Sequence, residues 1–245
     1  MKFTQLLTGL ILVLCLSCSK EQMNDCFTST GKVVDEKREL DYFTDVLVLG
    51  NFNLVLVEDS INFIKIEAGS KLLEQIKTDV ELRKLTIENT NTCNWVRSYK
   101  IPVNLELHYS KVRQLDLRGT INVTSKDTLR ADTISIRMQN NSGKLDLALS
   151  NKLLEINQTK GASEIVVGGR TGLLIYRPGD RVGANFLNLK ARRVEAESRS
   201  EIDSYVYATE SLKLITRAGG SLLYSGEAED IEKASYGEGT VSRVY

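Results

Sequence analysis

The sequence predicts an all-β protein whose body is a right-handed β-helix, or solenoid, of about 20-residue coils, with a β-rich N-terminal part. The first observation is that short apolar runs alternate at period two between residues 46 and 109, separated by Gly, Asn or Asp. The second is that beyond residue 110 two apolar residues separated by one position recur after 19, 20, 19, 21 and 18 residues. The repeated pairs are Leu115/Leu117, Ile134/Ile136, Leu154/Ile156, Leu173/Ile175, Val194/Ala196 and Leu212/Leu214.

The repeat favours a solenoid because a single coil buries little apolar area, whereas stacked coils share one continuous core. Small and turn-forming residues such as Asn140-Asn141-Ser142-Gly143 and Gly168-Gly169 predict the corners. An antiparallel sandwich is the competing fold, since it also shows strands every ~8 to 12 residues. The regular stepping over five intervals favours the solenoid.

One segment departs from the β pattern. Between Ser70 and Lys77 the apolar residues Leu72, Leu73 and Ile76 fall on one side of a helix, and Ser70 is placed to cap it. This segment predicts one or two helical turns.

The first residues resemble the signal of a bacterial lipoprotein. Lys2 precedes an apolar stretch at residues 6–14, which is too short to span a bilayer, and Ser17 directly precedes Cys18. The resemblance implies cleavage before Cys18, lipidation of Cys18 and attachment to the outer membrane, with its periplasmic or surface face left open. The alternative is an ordinary signal peptide with Cys18 incidental. The predicted organisation is a leader at 1–17, a tether and N-terminal segment at 18–33 and a β domain at 34–245, divided into 34–110 and the coils of 111–245.

Two further cysteines remain after lipidation of Cys18. Cys26 lies just beyond the tether and Cys93 lies between two strand-like runs, and in an oxidising compartment they can form a disulfide. Two separate free thiols are the alternative. A zinc site is disfavoured because no neighbouring His or CxxC pair completes the ligands.

The composition excludes several classes of function. The 32 Lys and Arg balance the 32 Asp and Glu with interleaved signs, so no basic face for nucleic acid is expected. The single histidine, His108, makes a triad or a histidine-rich metal site improbable, and its place in the polar phase of its strand predicts a surface side chain. No catalytic residue, metal or cofactor is predicted.

Several groups of side chains are candidates for binding, and solvated strand faces are the alternative for each. The aromatic residues near the C-terminus either stack on sugars or cap the end of the sheet. Three Asp-Ser/Thr-aliphatic segments resemble an O-glycosylation acceptor of Bacteroidetes envelope proteins. The acidic candidates are Asp41 with Asp45, Glu195 with Glu197, and Glu227 with Glu229 and Asp230; the basic ones are Arg192 with Arg193, and Arg177 with Arg181; the aromatic ones are Tyr205, Tyr207, Tyr224, Tyr236 and Tyr245; the acceptor segments begin at Asp59, Asp127 and Asp132.

Two stretches resemble the head GIN domain family of auto-transporter adhesins. Residues 34–46, VDEKRELDYFTDV, are similar to the family's opening, and the Gly-Ser, Tyr, Gly and Gly-x-Gly pattern from Gly220 to Gly239 is similar to its end. Residues 91–99 are similar to the form found in Bacteroidetes lipoprotein members. The resemblance implies an all-β fold with a β-helical body, and no specific ligand.

Together these features predict a lipid-anchored protein of the cell envelope that acts by binding or as a structural element. Its expected partners are the membrane, through Cys18, and a glycan or another envelope protein. Two alternatives stay open. A carbohydrate-active β-helix enzyme, similar to a polysaccharide lyase or hydrolase, would show carboxylates from adjacent coils in a groove. An assembly component would show an apolar flank that is buried on oligomerisation.

Overall fold

The computed structural model describes residues 30–91 and 103–244, which form β-strands and one 3-10 turn and confirm the all-β prediction. The predicted lipidation site Cys18 and the predicted Cys26–Cys93 disulfide lie outside these residues. In the part of the chain that is described, no helix is long and apolar enough to cross a bilayer. The elements are β1 (Val33–Glu39), β2 (Asp45–Glu58), β3 (Phe63–Gly69), the 3-10 turn (Leu73–Gln75), β4 (Ile76–Glu81), β5 (Lys84–Asn89), β6 (Asn104–Tyr109), β7 (Gln114–Ser125), β8 (Leu129–Asn141), β9 (Lys144–Gly161), β10 (Glu164–Asp180), β11 (Gly183–Asn185), β12 (Leu189–Ser200), β13 (Ser204–Thr216), β14 (Leu222–Gly226), β15 (Asp230–Ser235) and β16 (Val241–Arg243).

The strands from β7 onward pair in parallel with their equivalents in the next coil and form a solenoid of about six turns, as predicted. One inward column shows the repeat, because its members lie opposite one another on successive strands and alternate with outward residues. Most of its members are fully buried. The column runs through Leu85, Val46, Leu115, Ile136, Ile156, Tyr176, Ala196 and Leu214.

The structure corrects one predicted pair. Leu173 and Ile175 face outward, and the buried pair of this coil is Leu174 with Tyr176. Four apolar residues in succession fit both phases of a strand, so the sequence pattern alone does not select the inward one. The register between the first two predicted pairs also differs from the repeat seen in the sequence, since Leu115 lies opposite Ile136 and not Ile134.

The predicted corners are confirmed at Asn140 and Gly169. Asn140 has a φ of 50° and Gly169 a φ of 108°, both in the left-handed region. A Cβ at Gly169 would lie 2.0 Å from the carbonyl oxygen of Leu149 in the preceding coil. Glycine is therefore required there for the close approach of two coils as well as for the bend.

Antiparallel strands cover the N-terminal end of the stack. β3 pairs with β6, β1 pairs with β3, and β4 pairs with β5 through a two-residue turn at Leu82 and Arg83, both with positive φ. The helix predicted from Ser70 is shorter than expected: it is one 3-10 turn, Leu72 occupies its N-cap without a side-chain bond, and β4 begins at Ile76.

Candidate functional site

A cluster of charged and polar side chains lies on the outer face of β6, beside the loop after β2. His108 places Nδ1 2.8 Å from Asp59 Oδ2 and Nε2 2.7 Å from Glu106 Oε1. Lys65 on β3 donates to the same Glu106 oxygen at 2.7 Å. Both ring nitrogens of His108 are therefore engaged, each by a different carboxylate.

These contacts fix the charge of the two carboxylates. Hydrogen bonds from Lys65 and then His108 lower the pKa of Glu106 from 4.5 to about 2. A hydrogen bond from His108, followed by one from the backbone N–H of Ser60, holds the pKa of Asp59 below its usual value. The two carboxylates are therefore ionised at neutral pH, and each lies within hydrogen-bond distance of one ring nitrogen of His108.

The structure corrects the expectation that His108 is a surface side chain, since it is only 7% exposed. Antiparallel pairing of β3 with β6 sets Phe63 directly opposite His108, and their rings stack with centroids 3.9 Å apart. The Nζ of Lys37, one strand further out, lies 4.2 Å from the centre of the Phe63 ring. Glu106 lies two residues before His108 on the same face of β6, whereas Phe63 and Asp59 reach His108 only through the pairing of β3 and β2 with β6, which the sequence pattern does not show.

An open polar cleft of about 560 Å³ adjoins the cluster. It brings together the loops after β2 and β7, on adjacent coils, and so unites two of the three Asp-Ser/Thr-aliphatic segments. Ser60 donates to Asp59 through its backbone N–H at 2.6 Å, and the backbone N–H of Arg130 donates to Glu58 at 3.0 Å. The cleft is lined by Glu58, Asp59, Ser60, Asp127, Thr128 and Arg130.

The acidic pair predicted at Glu195 and Glu197 lies on the outward face of β12 and forms part of an ion-pair network. Glu197 accepts from Arg199 at 3.1 Å and from Arg217 at 2.7 Å, and the bond from Arg217 holds the pKa of Glu197 below its usual value. In the other predicted acidic pair, Asp41 with Asp45, the carboxylate of Asp45 lies 3.5 Å from the guanidinium of Arg113.

The other predicted groups are dispersed over the outer surface. Arg177 pairs with Glu155 at 3.4 Å, and Arg192 pairs with Glu210. Asp41, Glu227, Glu229, Asp230, Arg181 and Arg193 are exposed. No group of three or more His, Cys, Asp and Glu side chains suited to a metal occurs within residues 30–91 and 103–244.

The C-terminal tyrosines do not form one surface. Tyr224 is buried, Tyr205 and Tyr207 are half-buried on the outward face of β13, and Tyr236 is 69% exposed. The guanidinium of Arg217 lies 4.9 Å from the ring centre of Tyr236. Tyr245 lies outside the described residues.

Comparisons with solved structures show that the fold is shared. A crystal structure of a putative adhesin from Bacteroides fragilis is 19% identical, covers 87% of this chain and 97% of its own, and has a TM-score of 0.81. Two proteins from Parabacteroides distasonis both give a TM-score of 0.66. One, a putative adhesin, is 15% identical and covers 87% of this chain and 98% of its own; the other, a putative lipid binding protein, is 16% identical and covers 88% and 98%.

A search of curated proteins gives no match to this chain. The family model described as "Putative auto-transporter adhesin, head GIN domain" matches residues 42–228, most of the chain and nearly the whole solenoid. This match agrees with the residues whose spacing resembles the family and with the fold shared by the solved structures. The chain therefore belongs to the head GIN domain family.

Proposed function

We propose that this protein is a lipid-anchored component of the cell envelope that binds an extended partner along the outer surface of its solenoid, without catalysis. The observation that carries the proposal is a continuous outward row of side chains through eleven strands, from β1 to β16, none of them buried. At a strand spacing of about 4.8 Å such a row is about 48 Å long. Its members are Lys37, Lys65, Glu106, Val55, Thr124, Asp146, Val166, Asn185, Tyr205, Leu223 and Ser242.

A surface of this kind suits binding because its side chains are held on paired strands and lose little freedom when a partner is bound. The His108 cluster supports the non-catalytic part of the proposal. A general base needs a free lone pair and a pKa near the working pH. Both ring nitrogens of His108 are engaged, and Asp59 and Glu106 have lowered pKa values.

The experiment for binding is a glycan array probed with the full chain, followed by a search for cleaved products. Selective binding without product release is the expected result. An array without binding contradicts a glycan partner, and release of product contradicts the absence of catalysis.

The anchor is tested separately through Cys18. In the native host, the unchanged protein should sediment with membranes and incorporate a labelled fatty acid. The Cys18→Ser variant should lose the label and become soluble, since the thiol that carries the lipid is absent. A Cys15→Ser variant is the matched control, because Cys15 lies within the predicted leader. Unchanged labelling of Cys18→Ser contradicts the anchor.

A second candidate, a carbohydrate-active enzyme, is favoured by the cleft, which places Glu58 and Asp127 on adjacent coils. Glycosidic cleavage needs one protonated and one ionised carboxyl group. Asp59 is held ionised by His108, so Glu58 and Asp127 are left for these two roles. If the protein cleaves a glycan on the array, Glu58→Gln and Asp127→Asn should each abolish the cleavage. Asp132→Asn, which lies outside the cleft, should not.

The putative lipid binding protein among the structural relatives raises the question of an internal lipid site. The apolar cavity beside Tyr109 and Val112 measures about 10 Å³, which is about the space of one water molecule. An acyl chain does not fit in this cavity.

A further inference from the structure

A corner of the solenoid carries only positive charge on three successive coils. Residues 147–153, 167–173 and 187–193 stack in register, and together they contain five Lys and Arg and no Asp or Glu. We call these three segments the basic corner. The chain as a whole has a net charge of zero, so the basic corner is a local departure from its interleaved charges.

The cations of the basic corner differ in their partners. Lys152 lies 3.0 Å from Asp132, and Arg192 pairs with Glu210, each across one coil boundary. Within the described parts of the chain, Arg170, Lys190 and Arg193 have no carboxylate within ion-pair distance and no side-chain hydrogen bond. All three are exposed. Their charge is therefore available to an external anion.

Two of the three free cations are neighbours across a coil boundary, and the third, Arg193, lies three residues after Lys190 on β12. Arg170 lies directly opposite Lys190 on the neighbouring parallel strand, so their positions are about 4.8 Å apart along the solenoid axis. Ser150 occupies the same position on the preceding coil. The residues just before Arg170 are small, since Gly168 and Gly169 precede it.

Apolar side chains border the cations. Leu153, Leu173 and Arg193 lie opposite one another on successive strands, and the two leucines are half-buried and point outward. A strip of C–H surface beside a pair of stacked cations suits a polymer of sugar acids, whose rings carry apolar faces and a carboxylate at regular intervals. Duplex nucleic acid, with one charge per about 1.7 Å, needs many more cations than three.

We propose that the basic corner binds a linear acidic polysaccharide, with Arg170 and Lys190 contacting its carboxylates and Leu153 and Leu173 packing against its rings. This inference rests on the proposed function and specifies a partner for it. Each exposed ion pair adds little to affinity, so the complex depends on several contacts and weakens as salt rises.

The test measures binding of the full chain to polygalacturonate, with neutral dextran as the comparison. The R170Q/K190Q variant should bind polygalacturonate about tenfold more weakly, since two exposed charge contacts are lost. The K152Q/R192Q variant is the matched control: it removes the same charge from the same corner but takes cations already paired with Asp132 and Glu210. It should weaken binding by less than about twofold.

Equal losses in the two variants would show a dependence on net charge and overturn the proposal. So would unchanged affinity in R170Q/K190Q, or equal binding of dextran and polygalacturonate. Binding on the glycan array that R170Q/K190Q leaves intact supports the proposed function while overturning this inference, so the two failures are distinguishable. Unchanged circular dichroism and melting temperature in both variants show that the fold is retained.

Discussion

The two halves of the solenoid fill equivalent inward positions with different chemistry. In one column, which we call the second inward column, the first four positions are apolar and most of the later ones are polar, and every position except the exposed last one is buried. Met138 and Gln158 are neighbours at the change, and both are almost completely buried. In coil order the column is Ile87, Val48, Leu117, Met138, Gln158, Pro178, Ser198, Thr216 and Ser235.

The polar half of this column is held by hydrogen bonds to the backbone at the corners. Gln158 donates to the carbonyl of Asn141 at 3.1 Å, Thr216 donates to that of Gly220 at 2.7 Å, and Ser235 donates to that of Gly239. A buried carbonyl without a donor is costly, so these hydrogen bonds stabilise the corners. The carbonyl of Asn141 accepts a second hydrogen bond, from the Ser163 hydroxyl at 2.9 Å. The same β stack is thus stabilised by apolar contact at one end and by side-chain hydrogen bonds at the other.

The ends of the stack differ as well. Antiparallel strands cover the N-terminal end, whereas β15 and β16 leave one edge unpaired at the C-terminal end. Lys233 occupies the inward position that follows buried Leu214. A charge at an inward position of an edge strand opposes the addition of a further strand. The C-terminal end is therefore protected by charge.

The largest expected effect is that of Leu117→Ala in the apolar half of the second inward column. Leu117 is fully buried, and its truncation should lower the free energy of unfolding by about 3 kcal/mol through lost burial and a residual cavity. Ser198→Ala, in the polar half of the same column, is the control and should cost about 1 kcal/mol. Guanidinium titrations of both variants measure the difference. Equal costs would contradict the division of the column.

Sequence reasoning predicts the coil period and most inward residues, because one polar residue between two apolar ones fixes the phase of a strand. It fails at Leu173-Leu174-Ile175-Tyr176, where the choice depends on which side chains fit the neighbouring coils. It also fails at His108, because the burial of that ring depends on the antiparallel pairing of β3 with β6, which stacks Phe63 on it. Arg192 and Arg193 stand out as a basic pair in the sequence, but the rest of the basic corner does not, because Arg170 and Lys190 are twenty residues apart and meet only when the coils stack.

A disulfide between Cys26 and Cys93 would strengthen the N-terminal region alone. Both cysteines lie outside the described residues, so this pairing stays a prediction. Reduction should lower stability by about 3 kcal/mol, because a long loop of the unfolded chain is released. The measurement is the melting temperature with and without dithiothreitol, together with a count of free thiols by alkylation. A Cys26→Ser/Cys93→Ser variant should be insensitive to the reductant. Unchanged melting with both thiols free would eliminate the bridge.

The His108 cluster, which lies in the N-terminal region, predicts that the free energy of unfolding depends on pH. The pKa of Glu106 is lowered from 4.5 to about 2, so its contribution is complete above pH 4.5 and is lost as the pH falls towards 2. Between pH 6 and 2.5 the wild type should lose about 2 kcal/mol more than Glu106→Gln, after allowance for screening of the partly exposed carboxylate.

Urea titrations across that pH range measure the Glu106 contribution. Glu164→Gln is the matched control, because its carboxylate is 66% exposed and its ion pair with Lys144 lies on the surface. This control should follow the wild type. If Glu106→Gln has the same pH dependence as the wild type, the cluster does not stabilise the folded state through Glu106.

The smallest predicted effect tests whether the polar half depends on its corner bonds. Thr216→Val keeps the shape of the side chain and removes the hydroxyl that donates to the Gly220 carbonyl, so it should cost about 1 kcal/mol. Thr216→Ser keeps the hydroxyl and loses a buried methyl group, and hydrogen exchange separates the two effects. The amides of residues 216–222 should exchange faster in Thr216→Val than in Thr216→Ser, because only the valine variant frees the carbonyl that closes this corner. Faster exchange in the serine variant would mean that packing, and not the hydrogen bond, holds the corner closed. The C-terminal half would then be stabilised by apolar contact, as the N-terminal half is.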